Sequence, residues 1–248
     1  MDAPWEPPVT PEFWERRLRH GADGEVPGTY LGTLAGDDRV VAAGEVGTSE
    51  WDNLHLAWFS LQVDPQHRRQ GHGDTMLAHL HAEAVALGRT SLGLELWEGD
   101  ATRAIAARHG YDQRYVEAIR RQHLPSVDLG ALEPAYAAAR ECARDYELVR
   151  IAGRTPPERL EAVAAMVVAI NDAPTDDLDM EDEVFPPARV AAYETAQEAR
   201  GNRLYRVLAR HRATGGLAGH TVVAPMIAVN DALGYELVGN VLCFQRDA

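Results

Sequence analysis

Few cysteines, a shortage of base relative to acid and the lack of any long apolar run each remove a class of protein. The 248 residues hold two cysteines, Cys142 and Cys243. That is too few for a disulfide framework, neither lies in a metal-ligand spacing, and both read as small buried or half-buried residues. Lys and Arg total 24 against 38 Asp and Glu, a formal net charge of −14. Duplex nucleic acid wants a basic face and is not the expected partner. No apolar stretch reaches membrane-spanning length and no basic-then-apolar leader opens the sequence, so the expectation is a cytoplasmic protein with no membrane partner.

Other signatures are missing too. No Gly-Lys-Ser/Thr completes a P-loop, no third glycine completes a dinucleotide fingerprint, and no turn motif supports Ser-His-Asp chemistry. His79 and His81 stand two apart on a helical run, so they face different directions and read as two exposed histidines rather than a metal pair. The acidic run Asp176, Asp177, Asp179, Glu181, Asp182 and Glu183 lacks the glycine and ligand spacing of a calcium loop. It reads as a solvated loop or helix entry, one that could line a cleft for a cationic amine, and no metal is expected.

What is present is ordinary for a globular chain, 46% hydrophobic and 25% charged residues, enough for one large domain or two small ones. Pro11, with Thr10 as N-cap, starts a helix through His20. Thr29–Ala35 and Arg39–Val46 form a hairpin around Gly36-Asp37-Asp38. Leu56–Val63 is a third strand. Leu77, Leu80, Ala84 and Leu87 recur at helical spacing in a helix from Asp74 that stops at Gly88. A strand (Ser91–Leu96), a short helix (Thr102–His109) and a strand (Tyr115–Leu124) follow, then a helical connector (Leu132–Arg144).

The second half reads as a strand (Glu147–Ile151), a helix (Pro157–Ile170), the acidic run, a helix (Ala188–Arg200), and two strands (Arg203–His211 and Leu217–Val223). It continues through a late helical stretch at 225–235 and closes with a strand, Leu237–Phe244. The expected blocks are 1–128, a connector at 129–146, and 147–248.

The most informative segment is Val63-Asp-Pro-Gln-His-Arg-Arg-Gln-Gly-His-Gly73. A strand, a glycine-bearing turn and a helix start make an anion site, because the first turn of a helix leaves backbone N–H groups unpaired. Gly71 and Gly73 let a phosphate approach the backbone, and Arg68 and Arg69 offer charge-assisted donors.

The pattern Val63-x-Pro65-x-x-Arg68-x-x-Gly71-x-Gly73 resembles the pyrophosphate-binding motif of the GNAT acetyltransferase superfamily. The element order over residues 25–125 resembles that of its core. The whole chain resembles the tandem GNAT proteins, the group to which mycothiol synthase is related, with an incomplete second repeat lacking the coenzyme motif. The resemblance implies an α/β fold: a mixed, mostly antiparallel sheet flanked by helices, followed by a reduced second repeat. It implies acetyl transfer from acetyl-CoA, as co-substrate, to a small-molecule amine acceptor.

By the same resemblance, Leu61 and Val63 would give backbone bonds to the pantetheine arm. Arg68, Arg69, Gln70, Gly71, His72, Gly73 and Asp74 would hold the pyrophosphate. The candidate bases are Glu95, then Glu98, Glu45 and His55. The general-acid tyrosine of many relatives is replaced by Ala106, and by Asn230 in the second half. That leaves solvent, or Tyr111, as the acid. The alternative reading is a non-catalytic acyl-CoA-binding or scaffold protein. Exposed strand edges in the reduced second half make a homo-oligomer possible.

Overall fold

The computed structural model describes residues 10–21, 23–221 and 236–248. The predicted late helix at 225–235, with Asn230, lies outside them.

Helix α1 (Pro11–His20) starts where expected, with the Thr10 hydroxyl accepting from the Phe13 N–H at 3.2 Å. Strands β1 (Gly28–Thr33) and β2 (Val40–Gly47) form the hairpin, and β3 (Leu56–Val63) pairs antiparallel with β2. Helix α2 spans His72–Ala86, two residues earlier than its apolar pattern suggests, because Gly71 rather than Gly73 is its N-cap. Its end is a glycine stop: Gly88 has φ 75°, and the Arg89 N–H reaches back to the Ala84 carbonyl. Strand β4 (Ser91–Trp97), helix α3 (Asp100–Arg108) and strand β5 (Asp112–Arg121) follow.

The chain forms two compact units, one of Met1–Glu117, Ala173–Val184 and Asn240–Ala248, the other of Ala118–Asp172 and Phe185–Gly239. Unit 1 holds a six-stranded sheet in the order β1-β2-β3-β4-β9-β5, where β9 is Glu236–Asp247. The closing strand therefore does not complete the second half, as the chain order suggested. It pairs antiparallel with β4 from Ser91↔Asp247 to Trp97↔Val241. The physical reason is an open position beside β4: β5 lies one strand further out, and the interval needs a partner for its backbone groups.

Period-two alternation sorts the strands of unit 1 into two faces. Phe59, Leu92, Leu94, Leu242 and Phe244 pack with Leu77, Leu80 and Ala84 of α2 in one buried cluster. The other face carries Trp58, Gly93, Glu95 and, across from Glu95, Cys243. Gly93 is required there: a Cβ would stand 2.3 Å from the Trp58 ring.

The acidic stretch is a loop, as one of its two readings had it. Its backbone is held within unit 1: Asn53 exchanges hydrogen bonds with both the N–H and the carbonyl of Glu181, the Val184 N–H donates to Asp52, and the Asp179 N–H donates to Gln245.

Unit 2 carries α4 (Leu129–Cys142), β6 (Tyr146–Ala152), α5 (Pro157–Val167), α6 (Pro187–Ala199), β7 (Tyr205–His211) and β8 (Leu217–His220). Its sheet is antiparallel in the order β6-β7-β8. Among the described residues, no helix is long and apolar enough to cross a membrane.

Candidate active site

The parallel ladder between β3 and β4 runs from Leu56↔Ser91 to Phe59↔Leu94 and stops, while β3 continues to Val63 and β4 to Trp97. The two strands splay apart over those last residues. The Asp64 N–H bonds the Val41 carbonyl on the β2 side. Alternation then turns Gln62 and Ser60 the same way, and points the backbone groups of Leu61 and Val63 into the splay. The Val63 carbonyl already accepts from Arg68 Nε at 3.2 Å, so its N–H is the free partner.

Beyond β3 the turn is tight. Arg69 and Gly71 both take positive φ, 60° and 88°. The first intrahelical bond is from Thr75 N–H to the Gly71 carbonyl. The N–H groups of His72, Gly73 and Asp74 therefore point out of the helix end, where the macrodipole favours an anion. Nothing lies within 4 Å of where a Cβ on Gly71 would stand, and at Gly73 only Val63 and Leu61 side chains come near, at 3.6 and 3.9 Å. The cradle is open, and its donors suit a phosphate.

The chain contains no lysine, so any side-chain cation here is arginine or histidine. Arg68 and Arg69 are exposed on the turn, and Gln70 donates to the Gln66 carbonyl at 3.4 Å. The His72 Nε2 is buried with no hydrogen-bond partner. Asp74 differs from expectation in its side chain. Its carboxylate bonds His109 Nε2 at 2.7 Å and Arg108 at 3.1 Å, fastening α2 to the end of α3, so only its N–H is left for an anion.

Of the five catalytic candidates, Glu95 alone faces the splay from the side opposite α2. Protein packed around its carboxyl raises its pKa, and the charge of Glu117 adds to the rise. The side chain still meets solvent, which moderates the effect. Cys243, its cross-strand neighbour, is buried, and its thiol is pushed up to about 12 by that burial and by Glu95 and Glu117. Tyr115, two residues from Glu117 on β5, is raised by burial first and then by Asp176, Glu117 and Cys243. Glu117 and Tyr115 were not singled out in the sequence. Their alternation on one strand was visible, but which strand would neighbour them was not.

The other four candidates do not join Glu95. Glu98 is held on both oxygens, by Asn240 at 2.7 Å and Arg103 at 2.5 Å, and these bonds lower its pKa. His55 precedes β3 at the end away from the splay, with Nε2 3.4 Å from Asp179. Tyr111 is 4% exposed in the core on the α2 face, its hydroxyl sharing a 2.7 Å hydrogen bond with His81 and pushed up by burial. His81 is correspondingly partly buried rather than exposed. Glu45, the remaining base candidate, is committed to a two-pronged bridge from Arg17 at 2.5 and 2.7 Å.

The splayed parallel pair leads into the glycine-bearing helix start, and this part of the sequence is similar to a known family. Residues 2–111, a little under half of the chain, match the model of the Acetyltransferase (GNAT) family. Among curated proteins, the Mycothiol acetyltransferase of Stackebrandtia nassauensis is 34% identical over 121 residues, which is 48% of this chain. That match spans only 38% of the relative's own length. Among solved structures, a tandem GNAT protein from the clavulanic acid biosynthesis pathway aligns with a TM-score of 0.70 at 21% identity. The alignment covers 99% of this chain and 90% of that one, so the fold is the tandem GNAT fold, mixed α/β with a mostly antiparallel sheet.

Proposed function

We propose that the protein is an N-acetyltransferase whose active site lies in unit 1, with acetyl-CoA as donor and a small-molecule amine as acceptor. The observation that carries this reading is the continuity of the β3–β4 splay with the open N–H cradle at Gly71–Asp74. Acetyl-CoA would bring the acetyl group as an activated thioester. The N–H groups of His72, Gly73 and Asp74, with Arg68 and Arg69, would hold its phosphates, and Leu61 and Val63 would bond its arm.

Glu95 is the base. An acceptor amine must lose its proton to attack the thioester carbonyl, and a carboxyl with a raised pKa takes that proton, directly or through one water. The new C–N bond forms as the C–S bond breaks, and solvent returns a proton to the departing thiolate, since Tyr111 is committed to the core. In the same reading, unit 2 is a reduced GNAT-like repeat without a coenzyme motif. A non-catalytic, coenzyme-holding role is favoured by one observation: Ala106, at the position of the family tyrosine, is fully buried and supplies no phenol.

Titration calorimetry with acetyl-CoA tests the binding half. The parent should bind and Gly71→Glu should not, because φ 88° strains any side chain there and a carboxylate would repel phosphate. An acceptor screen tests the catalytic half. Glu95→Gln should keep coenzyme affinity while turnover falls by about a hundredfold or more. Equal turnover would remove Glu95 as the base, and a parent that binds without turning over any amine would leave the scaffold reading.

A further inference from the structure

We propose that Asn240, more than 140 residues from the glycine turn in sequence, is a positioning residue for the coenzyme cleft and acts through Glu98. This rests on the reading of the β3–β4 splay as that cleft. Past Leu94, β4 has lost β3 as a neighbour, so the wall formed by residues 95–98 depends on its other contacts. Those contacts converge on Glu98. Its N–H donates to the Asn240 carbonyl at 2.9 Å, and the Asn240 side-chain amide donates to Glu98 Oε2 at 2.7 Å. Arg103 takes Glu98 Oε1 at 2.5 Å and reaches Gln113 of β5 at 2.6 Å with its other nitrogen. Thr102 adds a bond from its hydroxyl to the Trp97 carbonyl at 2.7 Å.

Glu98 therefore ties β4 to β9 and, through Arg103 of α3, to β5 at the mouth of the splay, and Asn240 supplies two of those ties, one from its backbone and one from its side chain. A wall released on that side has to be ordered again when the arm of a ligand enters, and this ordering weakens binding. The glycine turn at the start of α2 makes none of these contacts. A ligand that uses only the turn should not sense Asn240.

That separation sets the experiment. Calorimetry compares the parent, Asn240→Ala, Glu98→Ala and the double variant, each with acetyl-CoA and with adenosine 3′-phosphate 5′-diphosphate. The second ligand keeps the pyrophosphate and lacks the arm. Losing a charge-assisted hydrogen bond should weaken acetyl-CoA binding by Asn240→Ala about five- to tenfold, and leave the nucleotide within about twofold. The double variant should be no weaker than Glu98→Ala alone, because one residue acts through the other. Equal loss for both ligands, no loss for either, or additive losses would overturn the proposal. If the parent itself failed to bind acetyl-CoA, the coenzyme reading would fall and take this inference with it. A parent that binds beside an unaltered Asn240→Ala variant would sink this inference alone.

Discussion

In unit 1 the largest fully buried side chains are Phe59, Leu77, Leu80, Leu92, Leu94 and Leu242, whereas in unit 2 Leu208 and Val163 share the interior with Glu194, which is 2% exposed. Glu194 accepts from the Thr155 N–H at 2.8 Å, the Thr155 hydroxyl at 2.6 Å and Arg206 at 2.9 Å. Among the described residues, unit 1 has six strands and a long helix from which to build an apolar layer. Unit 2 has three strands among its described residues, and it fixes α6 against β7 and the loop before α5 with a carboxylate that accepts three hydrogen bonds. An apolar layer tolerates small shifts of its members, but a carboxylate with three donors accepts one geometry. The larger unit is held mainly by area, and the smaller one by a specific polar knot.

The comparison can be broken most severely at Glu194. Glu194→Ala leaves the Arg206 guanidinium, 12% exposed, without its carboxylate and should destabilise the protein by about 3–5 kcal/mol, read from urea unfolding. Replacing the pair together, Glu194→Leu with Arg206→Met, should recover most of that loss. If the double variant were as unstable as the single one, the knot would add net stability rather than geometry alone.

Unit 1 offers a smaller effect, through the histidine on the apolar side of α2. Burial first, then the charges of Arg246 and His109, lowers the His81 pKa from 6.5 to about 4. The folded state thus keeps His81 neutral while the unfolded chain takes up a proton below pH 6.5. The contribution of this group is full above 6.5, falls as the pH drops towards 4 and then levels off. The stability curve of His81→Gln should be flatter than the parent's in that window; parallel curves would show that His81 does not titrate as the structure implies.

The smallest perturbation is chemical and sharpens the contrast between buried and exposed thiols. Cys142 is exposed and Cys243 buried with its pKa pushed up to about 12. A disulfide reagent at pH 8 should modify one thiol quickly and the second only after denaturation. Two fast thiols would contradict the burial of β9 between β4 and β5.

Much of this was readable in advance, and the boundary of what was readable has a physical cause. Strand β3 falls on Leu56–Val63, as alternation and flanking residues indicated, and the glycine turn with Leu61 and Val63 follows from local spacing. These features depend on neighbours within a few residues. The location of β9 does not: a strand's own sequence says that it needs partners, not which ones, so Leu237–Phe244 was assigned to the half that precedes it. The surroundings of Glu98 and Tyr111 were out of reach for the same reason. Each lies near the right sequence motif, but its side chain is claimed by Asn240 or His81 from elsewhere. Glu117 and Tyr115 stayed hidden because they gain meaning only once β9 is known to lie between their strand and β4.

The insertion of β9 also bears on how the protein is made. Ser91 pairs with Asp247 across 156 intervening steps of chain, so the sheet closes through contacts of very long sequence separation. Such contacts form late and slowly, since the entropy of closing the loop is spent before the pairing rewards it. A chain emerging from the ribosome cannot finish its first sheet when residue 121 appears. It has to hold β4 and β5 apart, or unpaired, until residues beyond 240 are available. During that interval the open edges of both strands are exposed to wrong partners, and chaperone dependence and refolding yield should follow the availability of the last strand rather than the length of the first unit.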